Sequence, residues 1–252
     1  MSDPSEIKGA GSDTAKPLAM RKRLDVIARY IQAGHTRFLD CGCGGGEYVF
    51  QLNDQFALDA YGVEFDEDKL RNAQSHPKYG SRITRGDLQN LAIDSESWDY
   101  AMLNEVLEHV PDDRSAVGEV HRILKPGGIA FIFSPNRWYP FETHGVISRR
   151  SKRLLPHWLP FMSYLPVRIG ERFFEYWARN YGQAELQRLF TSNGFKVIER
   201  NFVWQTFESI SGWNPVFLRP IKPFLRVVFA IAEKVPFIRR FGVSQVLVCE
   251  RI

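Results

Sequence analysis

The chain has 252 residues, 44% of them hydrophobic, and a net charge of +4, which suits one generous domain, or one domain carrying a cap, with a sizeable core. Its three cysteines, Cys41, Cys43 and Cys249, form no CxxC pair and no disulfide framework, so a reducing compartment is expected and a cysteine-based metal site is not. No run approaches the ~18 apolar residues of a membrane span, and residues 1–17 read as a polar, disordered tail without the apolar core of a signal peptide, which together predict a cytoplasmic protein.

The charge is unevenly placed. Residues 1–145 hold 16 Lys and Arg against 22 Asp and Glu; residues 146–252 hold 17 against 7. An acidic front and a basic back imply different partners for the two ends.

Leu24, Ile27, Ala28 and Ile31 keep helical spacing, which predicts a helix capped by Gly34. Arg37–Cys41 reads as the first strand. Gly42, Gly44, Gly45 and Gly46 follow, and a helix restarts at Tyr48. A strand, a glycine-rich turn and a helix N-terminus make a nucleotide-type pocket. A dinucleotide loop needs G-x-G-x-x-G, and from Gly42 the third glycine position is taken by Glu47. The pattern is instead acid-x-G-x-G-x-G, beginning at Asp40. Residues 60–66 read as a second strand, and Glu64 lies 18 residues past Gly46. An acid at that distance can accept both ribose hydroxyls. Asp66 is placed to cap the helix that follows. Residues 81–88 predict a third strand ending at Gly86-Asp87-Leu88. Residues 98–103 predict a fourth, followed by Asn104-Glu105-Val106-Leu107-Glu108-His109-Val110-Pro111. Glu105 and His109, at i and i+4, share a face if this phrase is helical. A helix from Asp112, a Leu124-Lys125-Pro126-Gly127-Gly128 turn and a buried strand at 129–133 complete the core, 36–135.

The Asp40 loop, Glu64, Asp87, the Asn104–His109 phrase and the Lys125–Gly128 turn, in this order, resemble the class I S-adenosylmethionine (SAM) dependent methyltransferases of the small-molecule type that includes quinone and lipid methyltransferases. The resemblance implies an α/β fold: a Rossmann-like, seven-stranded, mainly parallel sheet with helices on both faces, a reversed last strand and cap insertions. It implies SAM held by Asp40, Gly42, Gly44 and Gly46, by Glu64 on the ribose, Phe65 against the adenine, Asp87 and Leu88 on its edge, and Asn104 beside the methionyl part. It places an acceptor lid in the Trp-, Tyr- and Arg-rich stretch 136–181. His109 and His144 are the candidate bases for a hydroxyl acceptor. No metal is called for.

A second insertion, 207–241, starts with a polar stretch at Glu208–Ser211. From Arg219 it alternates apolar residues with Lys222, Arg226, Lys234, Arg239 and Arg240. Such a segment suits the surface of an anionic membrane, or else an ordinary packed helix. A nucleic-acid groove is disfavoured by the many aliphatic residues. The expected function is methyl transfer to a small, hydrophobic or lipid-linked acceptor. The competing readings are a non-catalytic SAM-fold or lipid-binding scaffold, and an NAD-dependent oxidoreductase, against which Glu47 stands.

Overall fold

The computed structural model describes residues 17–252 apart from 143, 156–158, 166, 205 and 207–219. The expected tail before residue 17, the polar stretch Glu208–Ser211 and Arg219 therefore lie outside the described residues.

Seven strands form one sheet. In chain order they are β1 (Arg37–Cys41), β2 (Asp59–Glu64), β3 (Ile83–Arg85), β4 (Trp98–Asn104), β5 (Leu124–Pro135), β8 (Phe195–Val203) and β9 (Ser244–Arg251). A separate ribbon pairs β6 (Val146–Ser148) with β7 (Phe174–Tyr176). The sheet order is β3-β2-β1-β4-β5-β9-β8, with β9 antiparallel to both its neighbours. The chain leaves β1 towards β2 on one side, and later returns to lay β4 on the other. That reversal opens a crevice at the carboxyl ends of β1 and β4, where open α/β sheets bind ligands.

Side chains alternate across the pleat and meet helices on both faces. Leu39, Ala101, Leu103, Ala130 and Ile132 pack with α4 (Asp113–Ile123) and α6 (Gln183–Thr191). Phe38, Tyr100, Met102, Phe131 and Phe133 pack with α1 (Leu18–Ala28), α2 (Glu47–Gln55) and α3 (Glu67–Gln74). Phe38 stacks on Phe131 at 6.0 Å between ring centres. At the opposite end of the sheet, buried Asp99 accepts the amides of Thr36 and Arg37, both at 3.0 Å, and Lys125 Nζ at 2.6 Å. It thereby ties the start of β1 to β4 and β5.

Side-chain caps set the starts of α3 and α4. Asp66 accepts the amides of Asp68 and Lys69 at the head of α3, and Asp112 accepts that of Ser115 at the head of α4. Three expectations are corrected. The first helix ends at Ala28, short of Ile31 and Gly34, because Arg29 and Tyr30 turn to bond Glu199 of β8 at 2.9 and 2.6 Å. The Lys125–Gly128 segment belongs to β5: Leu124 pairs with Trp98 and pairing resumes at Ile129 with Tyr100, leaving an irregularity between. Glu105 and His109 do not share a helical turn. Glu105 has φ +54, and only Leu107–His109 forms a turn, of 3-10 type.

Between β5 and β8 lie the ribbon and the short helix α5 (Val167–Phe173). Between β8 and β9 lies α7 (Lys222–Ala232), which has no buried residue. One side of it, with Leu225 and Phe229, is half-buried, and the Phe229 ring lies 5.0 Å from that of Trp204 just after β8.

Candidate active site

The loop after β1 is fixed by backbone bonds before any ligand enters. The amides of Gly42 and Cys43 donate to Val63 O at 2.8 and 3.0 Å, and that of Gly46 to Cys43 O at 2.9 Å. Gly46 sits at φ +83 directly before α2, and a Cβ there would come within 2.4 Å of Ile83 Cδ1 and 2.7 Å of Phe50 Cζ. Gly44, at φ +56, is the opposite case: a Cβ would meet no atom within 4 Å. One glycine is demanded by packing, the other leaves room beside the cavity.

Glu64 organises the loop. Its carboxylate accepts the Gly44 amide at 2.7 Å on Oε2, and the amides of Phe65 and Asp66 at 2.9 and 2.8 Å on Oε1. A carboxylate has about four acceptor sites, so one remains for a ligand. Asp40 lies beneath the loop. It is 1% exposed and its Oδ1 has no hydrogen-bond partner. Burial, then the charges of Glu64 and Glu47, push its carboxyl well above the usual range.

The crevice encloses about 690 Å³. Its walls bring together Gly42, Gly44, Glu64, Phe65, Asp87, Leu88, Asn104 and His109. Asp40 and Gly46 support the loop from behind. His144 stands outside the wall, with its ring 5.1 Å from that of His109. Leu88 is buried, Phe65 is 64% exposed at the rim, and Asn104 presents a buried Oδ1 with no partner. Asp87 accepts the amide of Gln89 at 2.9 Å, which shapes the turn at this part of the wall.

Lys69 of the wall was not singled out from the sequence, and Glu105 was noted only for its spacing to His109. Lys69 follows Asp66 by one helical turn. Glu105 is held by Arg23 of α1 at 2.9 Å and by Ser244 Oγ of β9 at 2.8 Å. Nothing in the local sequence announces those partners. Glu108, next to His109 in the phrase already noticed, has a fully buried side chain 3.6 Å from His144 Nε2. Burial, then the charge of Glu105, push its carboxyl well above the usual range.

The electrostatics select the ligand. Glu47, Glu64, Asp66, Asp87 and Glu105 line the cavity against one cation, Lys69. The Gly44 amide, of the kind that would cradle a phosphate, already serves Glu64. A pyrophosphate would meet repulsion here. A ligand with an ammonium, a sulfonium and a ribose would meet attraction and acceptors. The unpartnered Asn104 Oδ1 suits the ammonium or an amino group, so the residues present fit SAM. The cysteines are free and buried, and burial raises their thiols, which makes them poor nucleophiles.

Fold and crevice thus define a Rossmann-like protein built for a cationic adenosine derivative. Comparison with known proteins agrees. The family of the methyltransferase domain matches residues 39–132. The ubiquinone biosynthesis O-methyltransferase of Methylococcus capsulatus is 33% identical over 119 residues, covering 46% of this chain and 50% of the relative. That of Xanthomonas oryzae pv. oryzae is 31% identical over 175 residues, covering 66% and 68%. The chain therefore spans half the length of the first relative and about two thirds of the second. An S-adenosylmethionine dependent methyltransferase from Mesorhizobium loti superposes with a TM-score of 0.57 at 17% identity, covering 90% of this chain and 96% of the other. The chain belongs to the class I SAM-dependent methyltransferases, and its cofactor is SAM.

Proposed function

We propose that the protein transfers the methyl group of SAM to a small, hydrophobic or lipid-linked acceptor of quinone-like character. The observation that carries this is the acidic crevice, in which Glu64 holds the glycine loop and one acceptor site stays open. SAM supplies a methyl group on a sulfonium that is already a good leaving group. The chain's own residues therefore position and desolvate the reactants. Glu64 and Asp87 face the ribose and the adenine edge, and Leu88 and Phe65 offer apolar surface to the ring. Asn104 and Glu105 stand at the methionyl end. A second cavity of about 330 Å³ adjoins the first through His109, Val110 and Pro111, and is walled by Leu165, Tyr176 and Trp177. It suits an apolar acceptor ring, with proton removal from a hydroxyl acceptor assigned to the corner of Glu108, His109 and His144. Calorimetric titration with SAM and with NAD tests the cofactor side: SAM should bind and NAD should not. Methyl transfer from labelled SAM to quinols and to a lipid extract tests the acceptor side. Label in a water-soluble fraction alone would overturn the hydrophobic acceptor.

The acceptor's character is supported by α7. Phe224, Val227, Val228 and Ile231 fall at i, i+3, i+4 and i+7, which is one stripe, and all four are exposed. Phe237 and Ile238 continue it, while Arg226, Lys234, Arg239 and Arg240 are exposed alongside. Among the described residues no helix is long and apolar enough to cross a membrane. This segment instead suits docking on an anionic membrane, where each basic residue contributes ~1 kcal/mol. Co-sedimentation with vesicles containing phosphatidylserine should show binding that falls with salt. It should drop at least tenfold when Arg239 and Arg240 are both replaced by Glu. Indifference to anionic vesicles at low salt would leave a second copy of the chain as the cover for this stripe.

A further inference from the structure

The outer edge of the sheet carries a groove of the opposite character to the cofactor crevice. β8 stands last in the strand order and pairs only with β9. Beside it lies a cavity of about 600 Å³, walled by Arg200 of β8, Gln183 at the head of α6, and Arg239 and Arg240 between α7 and β9. Three guanidinium groups thus share one concavity. The one acid of the wall, Glu199, is already engaged: it accepts Arg29 at 2.9 Å and the Tyr30 hydroxyl at 2.6 Å. Arg200 bonds the neutral Gln187 side chain at 3.0 Å. Arg239 and Arg240 make no ion pair among the described residues. Like charges around one cavity repel, and an anion between them turns that repulsion into attraction.

The arginines stand on fixed backbone. Arg200 is part of the sheet. The Arg239 amide donates to Val235 O at 2.9 Å, and the Arg239 carbonyl accepts Trp204 Nε1 at 3.1 Å. Buried Asn136, just past β5, donates Nδ2 to the carbonyls of Arg240 and Gly242, both at 2.8 Å. Binding there orders side chains but no loop, which keeps its entropic cost low. The planar guanidinium fork matches phosphate oxygens two at a time. Three such forks offer more donors than one carboxylate can accept, and suit a group with three or more acceptor oxygens. Gln183 adds amide donors at the positive end of α6.

We propose that this groove is a binding site for a phosphate-bearing molecule, with a phosphomonoester or diphosphate group held by Arg200, Arg239 and Arg240. The site is separate from the cofactor crevice, whose acidic wall repels such a group. One short run of chain joins the two: Ser244, just beyond Arg240, donates to Glu105 of the crevice wall at 2.8 Å. Two sources present this chemistry. One is the headgroup of a phosphorylated lipid, met when α7 lies on a membrane; the other is a soluble phosphate ester.

The test uses the full chain. Calorimetric titration with inorganic pyrophosphate probes the soluble group. Co-sedimentation probes the lipid, with phosphatidylcholine vesicles carrying either phosphatidic acid or phosphatidylserine at matched surface charge. Pyrophosphate should bind, and Arg200→Gln and Arg240→Gln should each weaken it about tenfold, the loss expected for a charged hydrogen bond. Arg150→Gln, in the basic turn of the cap, should leave it unchanged. Thermal melts check folding, and Arg240→Gln carries the test if Arg200→Gln does not fold. A lipid source predicts stronger pelleting with phosphatidic acid than with phosphatidylserine, a preference that Arg200→Gln removes. A soluble source predicts pyrophosphate binding with equal pelleting on both lipids. Equal pelleting without pyrophosphate binding overturns the site, as does any binding or preference that Arg200→Gln and Arg240→Gln leave undiminished. Arg200 lies outside the exposed stripe of α7, and pyrophosphate needs no membrane, so this result stands apart from the membrane-docking and methyl-transfer readings.

Discussion

The glycine loop, residues 40–46 with Glu64, and the corner made by residues 105–109 with Glu142 and His144 stand close together, yet their carboxylates live differently. Glu64 is buried to 7% exposure and accepts three backbone amides. Glu108 is buried to 5% and accepts none. The first arrangement is finished by the protein alone and receives its ligand through spare acceptor capacity. The second lies against the Glu105 carboxylate, and burial together with that charge pushes its carboxyl well above the usual range. A site whose polar groups are satisfied by local backbone is rigid in advance. A site whose carboxyl is held towards its neutral form by burial carries little fixed charge of its own.

The largest effects should separate these two regions. His109→Ala or His144→Ala should reduce turnover about 10²–10⁴-fold, the range for losing assistance to proton removal, with SAM affinity unchanged. Glu64→Ala should act in reverse. It removes acceptors from the loop amides and the ribose, roughly 1.5–3 kcal/mol for each charged hydrogen bond, so SAM affinity should fall about a hundredfold. Calorimetry and single-turnover assays on the same variants check both. If Glu64→Ala is folded and binds SAM normally, the cofactor assignment is wrong. If both histidine variants keep full turnover, the corner takes no part in proton removal.

A smaller contrast lies inside the loop. Gly46→Ala combines a left-handed φ with a Cβ driven into Ile83 and Phe50. Overpacking costs about 1–3 kcal/mol and the left-handed conformation about 1–2 kcal/mol more, so this variant should melt several degrees lower. Gly44→Ala meets no protein atom and carries only the conformational cost. It should stay folded while SAM binding weakens, because the new methyl stands beside the cavity. Thermal melts paired with calorimetry check this, and equal melting points for the two variants would dissolve the distinction between a packing glycine and a ligand glycine.

The same contrast explains what could be read in the sequence. Asp66 and Asp87 bond amides two or three residues on, which local sequence can show, whereas Gly44 reaches Glu64 across 20 residues and was paired with it only by the motif spacing. The seven-stranded sheet with its reversed last strand was expected from the family resemblance carried by the ordered motifs, and the sheet has that form. The corner was not legible. Glu105 and His109 were placed on one helical face, but the left-handed φ of Glu105 breaks the helix and turns Glu108 inward instead. The Arg23–Glu105 bond joins residues 82 apart, and the bonds that end α1 reach Glu199 across 169 and 170 residues. Local periodicity carries no trace of such contacts. The exposed stripe of α7 was legible as amphipathic, but its outward direction was not, since sequence alone does not say which face meets the sheet.

The last prediction concerns pH and again sets two carboxylates apart. Burial opposes the charge of Asp99, but the Lys125 ammonium and the amides of Arg37 and Thr36 outweigh it and hold the carboxyl below its usual range. A depressed group binds fewer protons folded than unfolded. Its stability is therefore complete above the unfolded pKa, ~4, and is lost as pH falls through the folded value. Asp40 is the opposite case, raised by burial and by the charges of Glu64 and Glu47. It binds more protons folded than unfolded, so between pH ~4 and its raised folded value its contribution declines as pH rises. Thermal melts of the ligand-free protein should therefore show the highest melting point on the mildly acid side of neutrality, with a fall towards pH 8 and a steeper one below pH ~4. Asp40→Asn should flatten the alkaline-side fall and leave the acid-side fall unchanged; Asp99→Asn should do the reverse, at a cost in stability at neutral pH. If Asp40→Asn leaves the slope between pH 5 and 8 as steep as in the unaltered chain, Asp40 is already ionised in the folded protein, and some cation beneath the loop must be holding it so.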